Sequence, residues 1–220
     1  MDGVLDPNPF CARPPISFML DNLINVVHSY LFEEGEGYVQ LLEVWLEGDV
    51  LNLSLDVHGE DHDVQSWKVE CVGPLEHTVS LGHCYEFELY FEHVLLWPYI
   101  YPKASLSFYG EANDPLAVVG ALQMRHTELV GNWIPFGRFM NGNPYEMIRG
   151  RYGMLIEGPL PLVQAYAEVL ETHGVGIGIT EPKPANYRND SAAGLEEVAT
   201  LILNRESFVV APKFNAQQVR

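Results

Sequence analysis

The chain has 220 residues, of which 47% are hydrophobic and 19% are charged, and its formal net charge is −18. This length and balance are typical of a globular protein with a sizeable core, and they exclude a wholly disordered chain. The negative charge disfavours nucleic acid and anionic membrane surfaces as partners, and it favours a basic protein or cations.

The acidic charge is concentrated in the first half of the chain. Residues 1–110 contain 18 acidic and three basic residues, whereas residues 111–220 contain 12 acidic and nine basic residues.

Three cysteines without CxxC spacing predict neither a disulfide framework nor a zinc motif. The sequence shows no signal peptide and no apolar run long enough to cross a bilayer. We therefore expect a cytoplasmic protein.

The first half predicts one helix followed by an antiparallel β-meander. Residues 17–32 have apolar side chains at helical spacing. Apolar and polar residues then alternate in five segments, which predict strands at 38–46, 50–58, 64–72, 85–93 and 103–109. The predicted inward side chains are Leu42, Val44 and Leu46; Leu51, Leu53, Leu55 and Val57; Trp67, Val69 and Cys71; Tyr85, Phe87, Leu89 and Phe91; and Ala104, Leu106 and Phe108.

The second half alternates predicted helices and strands. The run Asn113, Asp114 and Pro115 is a helix-start signal, and that helix should end near residue 130. After an aromatic loop and a turn cluster, the remaining patterns predict strands at 152–157, 175–180 and 208–211, helices at 159–173 and 191–204, a proline-rich loop at 181–190 and a frayed tail at 213–220. The β-α-β-α-β order allows parallel pairing through right-handed crossovers.

Together these patterns predict an α+β fold. Its N-terminal part is a mainly antiparallel β-meander with helices packed on one face, and its C-terminal part is a β-α-β-α-β segment. We expect residues 1–220 to form one domain, with a division into two subdomains near residue 112 as the alternative.

An aromatic loop at 132–140 is the first candidate binding site. Trp133, Phe136 and Phe139 lie close together in the sequence around Arg138, and loops that carry large aromatic residues and an arginine are typical of binding hot spots. The alternative is that the loop packs over a sheet edge as additional core.

Acidic and histidine residues supply two further candidates. Glu86, Glu88 and Glu92 share one face of the predicted strand 85–93 and could form an acidic binding surface. His58 and His62 flank the turn at 56–63, so their rings could converge with Asp61 or Asp63, and imidazole with carboxylate suits zinc, manganese or iron. The alternative for this turn is a solvated acidic hairpin tip.

Two functions follow from these features. The first is a non-enzymatic acidic binding or regulatory protein that engages a protein partner without a cofactor, and the negative charge favours a basic partner. The second is a metal-dependent hydrolase built on the turn at 56–63, with a divalent transition metal as its cofactor. The sequence contains no P-loop, nucleophile-elbow or HExxH motif, so we favour the binding protein. Exposed edges of the predicted sheet also make a homodimer plausible.

Overall fold

The computed structural model describes residues 18–31, 37–59, 63–84, 86–187 and 197–219. Antiparallel sheets combine with helices in an α+β fold, as the sequence predicts. The helices are α1 Phe18–Leu31, α2 Trp97–Ile100, α3 Pro115–Val130, α4 Pro144–Arg149 and α5 Leu160–Thr172. The strands are β1 Tyr38–Glu47, β2 Val50–His58, β3 Val64–Val72, β4 Glu76–Thr78, β5 Gly82–Cys84, β6 Glu88–Tyr90, β7 Lys103–Tyr109, β8 Tyr152–Pro159, β9 Gly176–Ile179, β10 Ala199–Asn204, β11 Ser207–Ala211 and β12 Lys213–Gln218.

The chain divides into two compact units. Unit 1 comprises Met1–Val72, Leu81–Phe87 and Phe214–Arg220, and unit 2 comprises Gly73–Ser80 and Glu88–Lys213. The predicted single domain of 1–220 and its alternative split near residue 112 both stay predictions. None of the described helices has the length and apolar character needed to cross a membrane.

Unit 1 contains a five-stranded sheet in the order β12-β3-β2-β1-β5, and α1 contacts β1. The alternation predicted for β2 and β3 is confirmed, because their odd-numbered apolar side chains are buried while most of their even-numbered neighbours are only half-buried. The buried side chains of β2, β3 and α1 form the core of this unit: Leu51, Leu53, Leu55, Val57, Trp67, Val69, Cys71, Leu20, Leu23 and Val27.

Unit 2 contains a four-stranded sheet, β4-β11-β10-β6, and a three-stranded sheet, β8-β7-β9. Helix α3 begins as predicted: the Asp114 side chain accepts hydrogen bonds from the N–H groups of Leu116 and Ala117, and Pro115 occupies the first turn. Helices α3 and α5 contact each other, and α5 contacts all three strands of the smaller sheet. The predicted inward residues Ala104, Leu106 and Phe108 of β7 are buried in this core.

Three parts of the predicted topology are wrong. The strands between 38 and 109 do not form one meander, because β1–β3, β6 and β7 belong to three different sheets. The second half of the predicted helix 191–204 is strand β10, and residues 191–196 lie outside the described residues. The predicted tail at 213–220 contains β12, which pairs with β3. Strands β8 and β9 both pair antiparallel with β7, so they run parallel to each other and α5 connects them, but β7 lies between them and they do not pair directly.

Candidate functional site

The best candidate site is the polar side of the β1–β2–β3 ladder in unit 1. In the antiparallel register Glu43 lies opposite Ser54, which lies opposite Lys68. The next row runs from Trp45 through Asn52 to Glu70, and Glu47 follows at the end of β1. Side chains in register on antiparallel strands point to the same face of a sheet. We call the following set the carboxylate face: Glu43, Trp45, Glu47, Lys68 and Glu70.

The carboxylate face carries three carboxylates and one cation. Lys68 Nζ lies 2.9 Å from Glu70 Oε1 and 5.6 Å from the centre of the Trp45 ring. Glu43 and Glu47 are exposed and make no ion pair with any described residue. The Trp45 side chain keeps 36% of its surface exposed. The face therefore combines uncompensated negative charge with an exposed aromatic ring that already accepts one cation.

A β-bulge determines which β1 residues reach this face. The register with β2 shifts between Leu41 and Glu43, so that Leu42 is the extra residue and is 40% exposed. Val39 and Leu41 are buried on the core side before the bulge, and Val44 is the next β1 residue on that side. The predicted inward position of Leu42 is therefore wrong, because the bulge inserts one residue and resets the alternation.

The predicted metal turn is only partly described. Asp61 and His62 lie outside the described residues. The His58 ring stacks on Tyr38, with ring centres 4.2 Å apart, and Tyr38 also contacts His83 at 4.8 Å. His58 Nε2 and Asp56 Oδ1 are buried and have no hydrogen-bond partner among the described residues. Within the described ranges no cluster of three or more histidine, cysteine or acidic residues is arranged to hold a metal ion.

The strand predicted at 85–93, on which Glu86, Glu88 and Glu92 would share a face, is wrong in its length, and the role of these residues in binding stays a prediction. Strand β6 contains only Glu88, and Glu86 and Glu92 lie outside it. Glu86 belongs to unit 1, whereas Glu88 and Glu92 belong to unit 2. The Tyr90 hydroxyl also donates a hydrogen bond to Glu88. Alternation alone predicted a strand of nine residues here, but only three of them pair with β10.

The aromatic loop at 132–140 packs its rings inside unit 2. Trp133 meets the His93 ring edge-on with the ring centres 4.9 Å apart, and Phe136 meets the His126 ring at 5.5 Å. Phe139 packs against Gly158, where an added Cβ would lie 3.0 Å from the ring. These contacts account for each aromatic residue as packing. The role of this loop in binding stays a prediction.

Arg138 is held by a bidentate ion pair. Its two terminal nitrogens lie 2.7 Å from the two carboxylate oxygens of Glu76, and the Tyr99 hydroxyl donates to the same carboxylate at 3.0 Å. Burial, followed by the charge of Glu76, raises the pKa of Tyr99 to about 12. Burial lowers the pKa of Arg138, but the hydrogen bonds and charge of Glu76 outweigh it, so the net shift is upward. The guanidinium is therefore committed to an internal partner.

A buried histidine fixes the backbone of the same loop. His126 is 2% exposed, and its Nε2 lies 2.6 Å from the Ile134 carbonyl oxygen. Because a carbonyl only accepts, Nε2–H is the donor. The Tyr166 hydroxyl bonds the other ring nitrogen at 2.8 Å, and burial raises the pKa of that hydroxyl. The arrangement is typical of a satisfied buried polar network rather than an exposed binding loop.

Unit 1 contains a groove of about 420 Å³. Trp67 lines it, and the indole N–H of that residue is buried without a partner among the described residues. None of the described residues that line the groove has a carboxylate or imidazole side chain, the groups that most often act as acid and base in hydrolysis. The remaining lining residues are Asn22, Asn25, Val26, Ser29, Gln65 and Gln218.

Sequence reasoning missed the carboxylate face, although one signal for it was present. Glu43, Trp45 and Glu47 alternate in β1, and period-two spacing places such residues on one side of a strand. Comparisons of the chain with protein-family models, with curated proteins and with solved structures find no match.

Proposed function

We propose that this protein is a non-enzymatic, acidic binding or regulatory protein of the cytoplasm, and that it engages a basic protein through the carboxylate face. The observation that carries the proposal is the exposed Trp45 ring set among three carboxylates with one cation. An aromatic anchor within a charged rim is the usual anatomy of a protein-binding surface.

The distribution of charge supports a basic partner. By sequence, unit 1 contains 15 acidic and three basic residues, whereas unit 2 contains 15 acidic and nine basic residues. The acidic excess is therefore twice as large in the unit that carries the carboxylate face. A one-sided negative field accelerates the encounter with a basic surface and slows the encounter with an acidic one.

The test is comparative affinity capture with two charge-reversed variants. The first carries Glu43→Lys, Glu47→Lys and Glu70→Lys. The control carries Glu171→Lys, Glu181→Lys and Glu206→Lys, which changes the net charge equally at exposed positions of unit 2. Proteins captured from extracts of the producing cell are quantified by mass spectrometry, and the association rate of each captured protein is measured at two salt concentrations.

The expected result is that basic proteins bind the wild type and the control but are lost from the first variant. Their association rates should fall as salt rises, because salt screens exposed charges. Equal capture by the wild type and both variants would reject the carboxylate face as the binding surface. A homodimer stays a separate prediction, which sedimentation of the same samples tests.

A metal-dependent activity at the histidine turn is the second candidate, because two buried polar atoms there have no hydrogen-bond partner among the described residues. A metal ion that bound His58 Nε2 or Asp56 Oδ1 would give that buried atom a partner. Elemental analysis of purified protein, compared with a His58→Ala variant, tests this proposal. A stoichiometric transition metal that the variant loses would support it, and wild-type protein without metal would reject it.

A further inference from the structure

The outer edge of β1 is a strand edge that the sheet leaves open. Strand β2 pairs with β1 along its whole length, but β5 covers only Val39 to Leu41 on the other side. The β5 ladder stops at Gly82, whose φ of +119° is a backbone conformation that residues with side chains rarely adopt. No described strand pairs with residues 42–47 on that side.

The residues along this open edge are exposed. Leu42 is 40% exposed and Leu46 is 62% exposed, and Glu43 and Glu47 are exposed as well. An edge of this kind presents unpaired N–H and C=O groups that can accept another strand. The segment is also preorganised, because its pairing with β2 already holds the backbone extended. A strand that docks here would order little of this chain.

We propose, as a refinement that rests on the proposed function, that residues 42–47 bind a strand of the partner protein in which two basic residues flank an aromatic or apolar residue at alternate positions. In an antiparallel arrangement the basic residues would lie opposite Glu47 and Glu43, and the central residue opposite Trp45. Opposite charges and aromatic pairs directly across two strands are the stabilising cross-strand combinations.

A second copy of this chain fits the same edge poorly. If two β1 edges paired with Trp45 opposite its own copy, Glu43 would face Glu47 twice. Like charges directly opposite each other destabilise an antiparallel pair. The bulge at Leu42 and the two glutamates thus act against self-pairing, a common protection of edge strands, while they leave the edge open to a basic strand.

The probe is a synthetic peptide, acetyl-Thr-Lys-Val-Phe-Val-Lys-Thr-amide, titrated into the full chain. A second peptide replaces both valines with proline, which keeps the charges and the phenylalanine but removes two backbone N–H donors and disfavours strand pairing. Amide hydrogen exchange along the chain is measured with and without each peptide. The variants are Glu43→Lys with Glu47→Lys, and the equally charged control Glu171→Lys with Glu206→Lys.

The expected result is that the valine peptide slows amide hydrogen exchange within 42–47 and the proline peptide does not. The dissociation constant of the valine peptide should be about tenfold higher for the Glu43→Lys, Glu47→Lys variant than for the wild type, and unchanged for the control variant. Equal binding of both peptides without protection of 42–47 would overturn strand addition and leave the proposed function intact. Absence of binding by either peptide would also overturn it. Slow amide exchange within 42–47 in the absence of peptide, together with a dimer in sedimentation, would show that the β1 edges of two copies pair with each other. That result would also overturn strand addition by a partner.

Discussion

The ion pair between Glu76 and Arg138 provides a quantitative test of how the aromatic loop is anchored. The perturbation is Glu76→Gln, which keeps an oxygen for the Tyr99 hydroxyl, combined with Arg138→Met in a double-mutant cycle. Opposite charges about 4 Å apart interact by about 4 kcal/mol at an effective dielectric constant near 20, which is a ceiling. The two side chains are 25% and 24% exposed, so solvent screening and side-chain ordering reduce this value. We expect a coupling free energy of about 1.5 kcal/mol.

The assay is urea unfolding of the wild type, both single variants and the double variant, followed by circular dichroism and by tryptophan fluorescence. A matched control cycle uses Arg125 and Glu168, whose nitrogen and oxygen atoms lie 3.5 Å apart on exposed side chains. This control should show no measurable coupling. If the Glu76–Arg138 coupling were no larger than that of the control, the loop would not be anchored by this pair and the reasoning would be refuted.

Three further predictions concern buried polar groups. Tyr166→Phe leaves His126 Nδ1 buried without a partner, so the free energy of unfolding should fall by about 1–3 kcal/mol, and an unchanged urea midpoint would contradict the network. The pKa of Tyr99 is raised from 10 to about 12, so the stability that the protonated hydroxyl contributes is complete below pH 10 and is lost as the pH rises through about 12. In urea unfolding measured against pH, the Tyr99→Phe variant should therefore lose less stability in the alkaline range than the wild type. An equally steep alkaline loss in both proteins would contradict this prediction. Burial raises the pKa values of the Cys71 and Cys84 thiols, so iodoacetamide at pH 8 should leave both cysteines unmodified until urea unfolds the chain. Peptide mass spectrometry detects the modification. Modification of Cys71 in native buffer would contradict the prediction, because it would show that the thiol is accessible.

Local signals in the sequence predicted elements whose stability depends on near neighbours. Asp114 and Pro115 start a helix through bonds and torsions within one turn, and the prediction is confirmed. Leu51, Leu53 and Leu55 alternate in a strand whose two partners flank it in the sequence, and their burial is confirmed as well. Such patterns need no knowledge of distant residues.

The errors arise where a distant partner or an apolar run decides the structure. Residues 199–204 are predominantly apolar and almost completely buried, so their sequence shows no period-two alternation, and the predicted helix is wrong there. Strand β12 pairs with β3, more than 130 residues earlier, although Phe214 and Ala216 already alternate with polar neighbours. Sequence patterns alone do not reveal which strands pair over such separations.

The candidate site was hidden for a related reason. The acidic charge of the first half is evident in the sequence, and the predicted strand 85–93 assigns a binding surface to Glu86, Glu88 and Glu92, whose role in binding stays a prediction. The exposed face depends instead on the register that sets Trp45 beside Glu70 across Asn52, and on a bulge that alternation does not predict. The aromatic loop was singled out by composition, which does not distinguish an exposed hot spot from packed rings.

Hydrogen-exchange mapping of this protein with its captured basic partner tests the central claim most directly. The two candidate binding surfaces, the carboxylate face and the loop at 132–140, lie in separate units, so protection of one is readily distinguished from protection of the other. The account predicts protection of β1 and β3 around Trp45 and Glu70, with exchange in the loop unchanged. Protection confined to 132–140, with β1 exchanging as in the free protein, would contradict it.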